Sequence, residues 1–315
     1  MITALILTAA LLALAGGYAW WALQAIAAGA AAWPYVAGAV ALPFAIPLVF
    51  TIAWFALAWA FGTPLPPGAR LGAGRRLALF WNEWQAIRRS GPRMILYRWL
   101  VPDPAPAPAP ASFPVLLLHG VLCNAGVCRG LRRHLEAQGL GPVYTLSYGP
   151  PLASIEVFAD QVAGKVDTIL RATGAAQVAI VGHSMGGLVA RAYLRRYGAS
   201  KVRLLVTVGT PHHGSVHAWL FPGTCLAQLR PGNPWLAGLN AAPLPGCRIV
   251  SLWSRHDSMV APQASSALPG AEEIVVTGVG HNALLADAAV FAVVARELAR
   301  DRTSVRVGET ASSAT

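Results

Sequence analysis

Gly182-His183-Ser184-Met185-Gly186 sets a serine between two glycines, after the β-branched run VAIV and before LVARAYL, a stretch patterned as a helix. A serine hydroxyl attacks a carbonyl only when a base removes its proton, and that base must be oriented by an acid. G-x-S-x-G on a sharp strand-to-helix turn provides the setting: glycines admit neighbouring backbone, and helix amides point where an oxyanion would develop. On a fold that carries such an elbow, the expected chain order is the serine, then an acid, then a histidine. Asp257 in SLWSRHDSMVAP and His281 in VVTGVGHNALL meet it, each in a loop just after an apolar run. The competitors are placed less well. His256 precedes the last apolar run, His212, His213 and His217 fall in or before an insertion, and Asp287 falls inside the expected closing helix. The plainer readings are a small turn residue for Ser184 and a loop cap for Asp257.

A tetrahedral intermediate also needs two backbone donors. One is expected from Met185, directly after the nucleophile. The other is expected from LLLHGVLCN, where Gly120 permits the turn that aims the Val121 amide, with Leu122 as the fallback.

These residues need a scaffold that brings strand ends together. Apolar runs at 113–118, 142–146, 177–181, 202–208, 249–253 and 273–277 read as strands. Helical patterns at 127–138, 155–170, 185–197 and 283–298 alternate with them. Uninterrupted apolar strands alternating with helices predict an α/β domain, a mostly parallel sheet with helices on both faces. Its C-terminal edge is where such folds collect catalytic groups. Residues 212–246, rich in Pro, Gly and Trp, interrupt the rhythm as a lid-like insertion over that edge; Trp219, Leu220, Phe221, Trp235 and Leu236 suit an acyl pocket or a plain apolar cap.

LLLHGVLCN, VGHSMGGLVARAYL, VGTPHHGS, SRHDSMVAP and GVGHNALL, in this order and spacing, resemble bacterial lipases and esterases of the α/β-hydrolase fold. The resemblance covers residues 113–299. It implies ester hydrolysis through an acyl-enzyme with Ser184, Asp257 and His281 as the triad, and structural roles for the histidines of VGTPHHGS. No calcium site is carried over, and no metal or cofactor is implied. An acyltransferase or amidase on the same fold, or a non-catalytic hydrolase-like membrane module, are the alternatives.

The N-terminal third is a different material. No charged residue precedes Arg70, in a chain that is 55% hydrophobic and 12% charged. The runs 2–33 and 35–61 each exceed the roughly 20 apolar residues that span a bilayer as helix, with tryptophans and tyrosines suited to its interfaces. A cleaved signal peptide competes for the first run, although it lacks a basic start. Arg70, Arg75, Arg76, Arg88, Arg89, Arg93 and Arg98 follow, opposed only by Glu83. Arginine near a membrane exit stays cytoplasmic, so a transmembrane hairpin in a bacterial inner membrane with its catalytic domain on the cytoplasmic side is expected. Leu77, Phe80/Trp81, Trp84 and Ile87 predict an amphipathic helix, on the membrane surface or packed on the domain.

The expected order is therefore a membrane anchor at 1–69, a basic juxtamembrane segment at 70–101, a stiff Pro-Ala linker at 102–111, the α/β domain at 112–300, and a flexible tail at 301–315. The net charge of +11 is accounted for by topology and anionic lipid; no zinc spacing, RNP-like run or lysine-rich tail points to nucleic acid. The expected partners are the bilayer and a lipid or acyl-ester substrate, with no obligate protein partner implied. Cys123, Cys128, Cys225 and Cys247 would stay reduced in the cytoplasm, whereas a periplasmic domain could join Cys225 to Cys247.

Overall fold

Strands without alternating polarity belong inside a sheet, and each of the six apolar runs becomes one. The computed structural model describes residues 2–104 and 113–312. Its strands are β1 (Val115–Leu118), β2 (Val143–Leu146), β3 (Val178–His183), β4 (Val202–Val208), β5 (Arg248–Ser254) and β6 (Glu272–Val276). All pair in parallel in the order β2-β1-β3-β4-β5-β6. The two-residue period of a strand sorts side chains to both faces. Leu116 and Leu118 of β1 join one core with Phe158, Val162 and Leu188, while Val115 and Leu117 join the other with Leu131, Leu135 and Val294.

The helices are α1 (Ile2–Ala27), α2 (Trp33–Ala60), α3 (Ala73–Ile95), α4 (Tyr97–Leu100), α5 (Arg129–Ala137), α6 (Ile155–Thr173), α7 (Met185–Tyr197), α8 (Thr224–Gln228), α9 (Pro234–Ala241) and α10 (Ala288–Ser312). Local chemistry fixes their ends. Ser154 caps α6 by accepting from the Glu156 amide at 3.2 Å, and Gly174 ends it at φ 69°. Asp287, expected inside the closing helix, instead caps it: its Oδ1 accepts the Ala289 and Val290 amides at 2.8 and 3.0 Å. Ala283–Leu285 is a separate 3-10 turn. Helical backbone continues past 300 to Ser312 where a flexible tail was expected; 313–315 lie outside the described residues. The insertion folds as a 3-10 turn at Val216–Trp219 followed by α8 and α9.

Helices α1 and α2 have mean hydropathies of 2.0 and 2.2 and are long enough to cross a membrane. Unlike core helices, they show their side chains: Leu12, Leu14, Val49 and Ile52 are all more than half exposed. Tyr18 Oη donates to the Tyr35 carbonyl at 2.7 Å, and the Trp21 and Tyr35 rings meet edge to face, which ties the two helices together beside the turn of the hairpin.

The linker expected at 102–111 falls from 105 onward outside the described residues. The segment before it does not stand apart from the domain. Helix α3 lies between the hairpin and the C-terminal edge of the sheet. Toward α2 it turns Phe80, whose ring is 6.0 Å from Phe55, and Trp84, whose Nε1 donates to the Phe44 carbonyl at 3.1 Å. Leu79, Glu83 and Ala86 are its buried residues. The expected apolar stripe is therefore split: Leu77 and Trp81 are exposed. Periodicity alone ranked Glu83 with the polar face, whereas polar backbone groups on the sheet edge draw that carboxylate inward.

Candidate active site

The elbow is built as its sequence requires. Ser184 joins β3 to α7 with φ 55° and ψ −129°, a conformation that costs a side chain about 1–3 kcal/mol. The surroundings hold it there. Its amide donates to the Val208 carbonyl at 2.9 Å, and its carbonyl accepts the Thr210 hydroxyl at 2.9 Å and the Gly187 amide at 3.1 Å. Both motif glycines are required by close approach. A Cβ on Gly182 would lie 2.6 Å from the Gly187 nitrogen, and one on Gly186 would lie 2.7 Å from the Leu118 and His119 carbonyl oxygens.

Asp257 and His281 meet across the loops that follow β5 and β6. Asp257 Oδ2 lies 2.8 Å from His281 Nδ1, and its Oδ1 accepts the Met259 and Val260 amides at 2.8 and 2.7 Å. Ser184, Asp257 and His281 are 9%, 2% and 3% exposed. Burial alone would push the His281 pKa down. The Asp257 charge, its hydrogen bond and the Glu83 charge outweigh that, so the pKa is raised above 6.5. Among the described residues no hydrogen bond joins Ser184 Oγ to His281. Ser184 Oγ faces the β1 loop instead, 3.3 Å from where a Gly120 Cβ would stand. In that loop Leu122 shares the positive φ of Ser184, at 54°. The Val121 and Met185 amides have no acceptor among the described residues.

Two side chains at this edge escaped the sequence reading. His183, the variable residue of the elbow, donates from Nε2 to the His281 carbonyl at 3.1 Å. Burial and the neighbouring His281 hold its pKa down at about 3, so it is a neutral donor. Glu83 is fully buried. Its Oε1 accepts the Ser258 hydroxyl at 2.6 Å, the Asn282 amide at 3.0 Å and the Asn282 side-chain amide at 2.9 Å, and its Oε2 accepts the Ala283 amide at 2.9 Å. A lone acid in a basic helix was the available signal.

His212 and His256, two of the competing histidines, are bonded elsewhere. His212 Nε2 pairs with Thr207 Oγ1 at 3.1 Å while its Nδ1 accepts from Arg191 at 3.2 Å. His256 Nδ1 accepts the Gly278 amide at 3.1 Å. The insertion divides in two. Trp235 Nε1 donates to Glu156 at 2.7 Å and Leu236 is buried in the core, so this half caps the domain. Trp219 and Leu220 are exposed, and Phe221 packs 6.1 Å from Trp54 of α2. All four cysteines are unpaired thiols, and burial pushes those of Cys123 and Cys128 up to about 12.

Residues 114–245 match a family model described as alpha/beta hydrolase fold, the span that carries the elbow and strands β1 to β4. The chain has the α/β-hydrolase fold. The hydrolase-fold domain is also similar to the crystal structure of Bacillus licheniformis lipase BlEst2 in mature form, with a TM-score of 0.56 and 19% identity over 62% of this chain and 96% of that one. Two curated triacylglycerol lipases, from Pseudarthrobacter phenanthrenivorans and Burkholderia plantarii, are each 31% identical to it over 121 residues. The match covers 34% of this chain in both cases, and 35% and 31% of the two relatives. The chain thus spans about a third of the length of the curated relatives it matches.

Proposed function

We propose that the chain is a membrane-anchored serine hydrolase, a lipase or esterase that cleaves esters of apolar acyl groups through an acyl-enzyme. One observation carries the reading: a strained elbow serine stands at the same sheet edge as a buried histidine bonded to an aspartate at 2.8 Å. The similarity to triacylglycerol lipases supports the substrate class.

In this mechanism His281 Nε2 takes the proton of Ser184 as Oγ attacks the ester carbonyl. Asp257, bonded at Nδ1, fixes the tautomer that leaves Nε2 free to accept and stabilises the imidazolium that forms. The free Val121 and Met185 amides take the oxyanion. Collapse expels the alcohol with the proton from His281, leaving an acyl ester on Ser184. Water then attacks the acyl carbon as His281 takes its proton, and cleavage of the bond to Ser184 Oγ releases the acid while His281 returns the proton to the serine. The serine–histidine hydrogen bond tightens when substrate arrives, as catalytic contacts commonly do.

The anchor reading rests on two apolar helices of 26 and 28 residues whose surfaces the domain leaves uncovered. Water-exposed apolar area on that scale marks a surface meant for another environment. Seven arginines between 70 and 98 favour the cytoplasmic side for the domain; an active alkaline phosphatase fused to the C-terminus would contradict that side. The activity is tested by hydrolysis of p-nitrophenyl esters of graded chain length by the purified full chain. Acid release that rises with chain length and is lost in Ser184→Ala is expected. Acyl transfer to an added alcohol or amine in preference to water would reassign it as a transferase.

A further inference from the structure

Glu83 is the only acidic residue among the first 102, and it is fully buried. Its contacts are selective. Ser258 directly follows Asp257, Asn282 directly follows His281, and one carboxylate binds both. Ser258 Oγ in turn accepts the His281 amide at 3.3 Å, so Glu83, Ser258 and His281 form a continuous chain of hydrogen bonds. The backbone makes room for it: a Cβ on Gly280 would lie 2.5 Å from Glu83 Oε2. Gly280 does not have a positive φ, so that carboxylate is what demands a glycine there.

We propose that Glu83 is a positioning residue for the Asp257–His281 pair, so that docking of α3 completes the catalytic site. The proposal rests on the serine-hydrolase reading above. The two loops are bonded near their strands, through Ser254 to the Val279 carbonyl and His256 to the Gly278 amide. The Asp257–His281 bond and the Glu83 carboxylate join them further out at the catalytic residues. Because buried donors left without an acceptor are costly, the loops rearrange when Glu83 withdraws. Helix α3 also packs on α2 through Phe80 and Trp84, so the apolar hairpin and the histidine are linked through one helix.

The test is the pH dependence of p-nitrophenyl butyrate hydrolysis by the full chain in detergent, comparing wild type with Glu83→Gln, Gly280→Ala, Ser184→Ala and the exposed control Glu136→Gln. The charged and titratable groups facing His281 are Asp257 from the β5 loop, Glu83 from α3, His183 from β3 and His217 from the insertion. Removing the Glu83 charge takes away support for the imidazolium, so the acidic limb of the profile moves to lower pH in Glu83→Gln. Misplacement of a catalytic group by an ångström costs about 100-fold, and a fall in kcat of that order with KM little changed is expected. Gly280→Ala, which displaces the carboxylate without deleting it, should lower kcat as well, and Glu136→Gln should match wild type. Wild-type kcat and an unmoved limb in Glu83→Gln would overturn the proposal, and so would a fall in kcat with an unmoved limb. If Glu83→Gln does not fold, wild-type kcat in Gly280→Ala overturns it. A wild type no more active than Ser184→Ala overturns the hydrolase reading and this proposal together, whereas an active wild type with unaltered variants overturns this proposal alone.

Discussion

Asp257 takes its hydrogen bonds from its own loop and from His281, whereas Glu83 takes all of its bonds from segments 175 to 200 residues away. Both carboxylates are buried at one sheet edge and both act on one histidine. The acid loop carries its own acceptor for the Met259 and Val260 amides and so holds its shape locally. The turn at Asn282–Ala283 carries none for its first amides and borrows one from α3. In the proposed mechanism the sheet supplies Ser184 and Asp257, and α3 braces the turn that carries His281.

The comparison can be broken at several points. Ser184→Ala removes the nucleophile itself and should lower ester hydrolysis about 10⁶-fold, measured with p-nitrophenyl butyrate. Asp257→Asn keeps the shape but loses control of the tautomer, for which a loss of about 10⁴-fold in kcat is expected. Because Asp257 and Glu83 together raise the His281 pKa, kcat/KM in the wild type should fall on acidification through a midpoint above 6.5; a midpoint at or below the ordinary histidine value would show that burial wins. His183→Phe removes one neutral hydrogen bond to the His281 carbonyl, a loss of about 0.5–1.5 kcal/mol. A fall in kcat of about two- to tenfold is expected. This smallest effect sharpens the comparison, since His183 belongs to the sheet and should matter less than Glu83.

The two regions also differed in how far they could be read in advance. Apolar runs located all six strands, most clearly β1 and β3, whose residues are buried throughout, and least clearly the edge strand β6, which begins with two exposed glutamates. Ser184, Asp257 and His281 could be singled out as candidates because strand-end position and chain order leave only a few. The structure brings Asp257 and His281 into contact and sets Ser184 at the same edge. Glu83 was not legible as a partner. Its contacts are long-range, and a carboxylate in a basic helix looks like ordinary charge balance until its acceptor role is seen. His183 was missed because the elbow motif leaves its position free. Asp287 was placed one element too late because a short polar residue caps a helix from outside it.

The segment after the apolar runs was read as an amphipathic helix on the membrane surface or packed on the domain, and α3 lies against the turn at Ala125–Cys128. Asn124 Nδ2 donates to the Met94 carbonyl at 2.8 Å, and Gly126 has no room for a Cβ against the Arg93 carbonyl. Proline–alanine composition describes the stiffness of a linker; it carries no information about what packs before it. The insertion shows the same limit, since Trp219 and Trp235 are alike in sequence while one is exposed and the other is bonded to Glu156.

The central claim is that Ser184 is an activated nucleophile served by His281. Its most direct measurement is covalent labelling of the full chain by a fluorophosphonate, with the modified peptide located by mass spectrometry. The account predicts one adduct, on Ser184, absent in Ser184→Ala and formed far more slowly in His281→Ala. An unlabelled wild type, or equal labelling in Ser184→Ala, would contradict it.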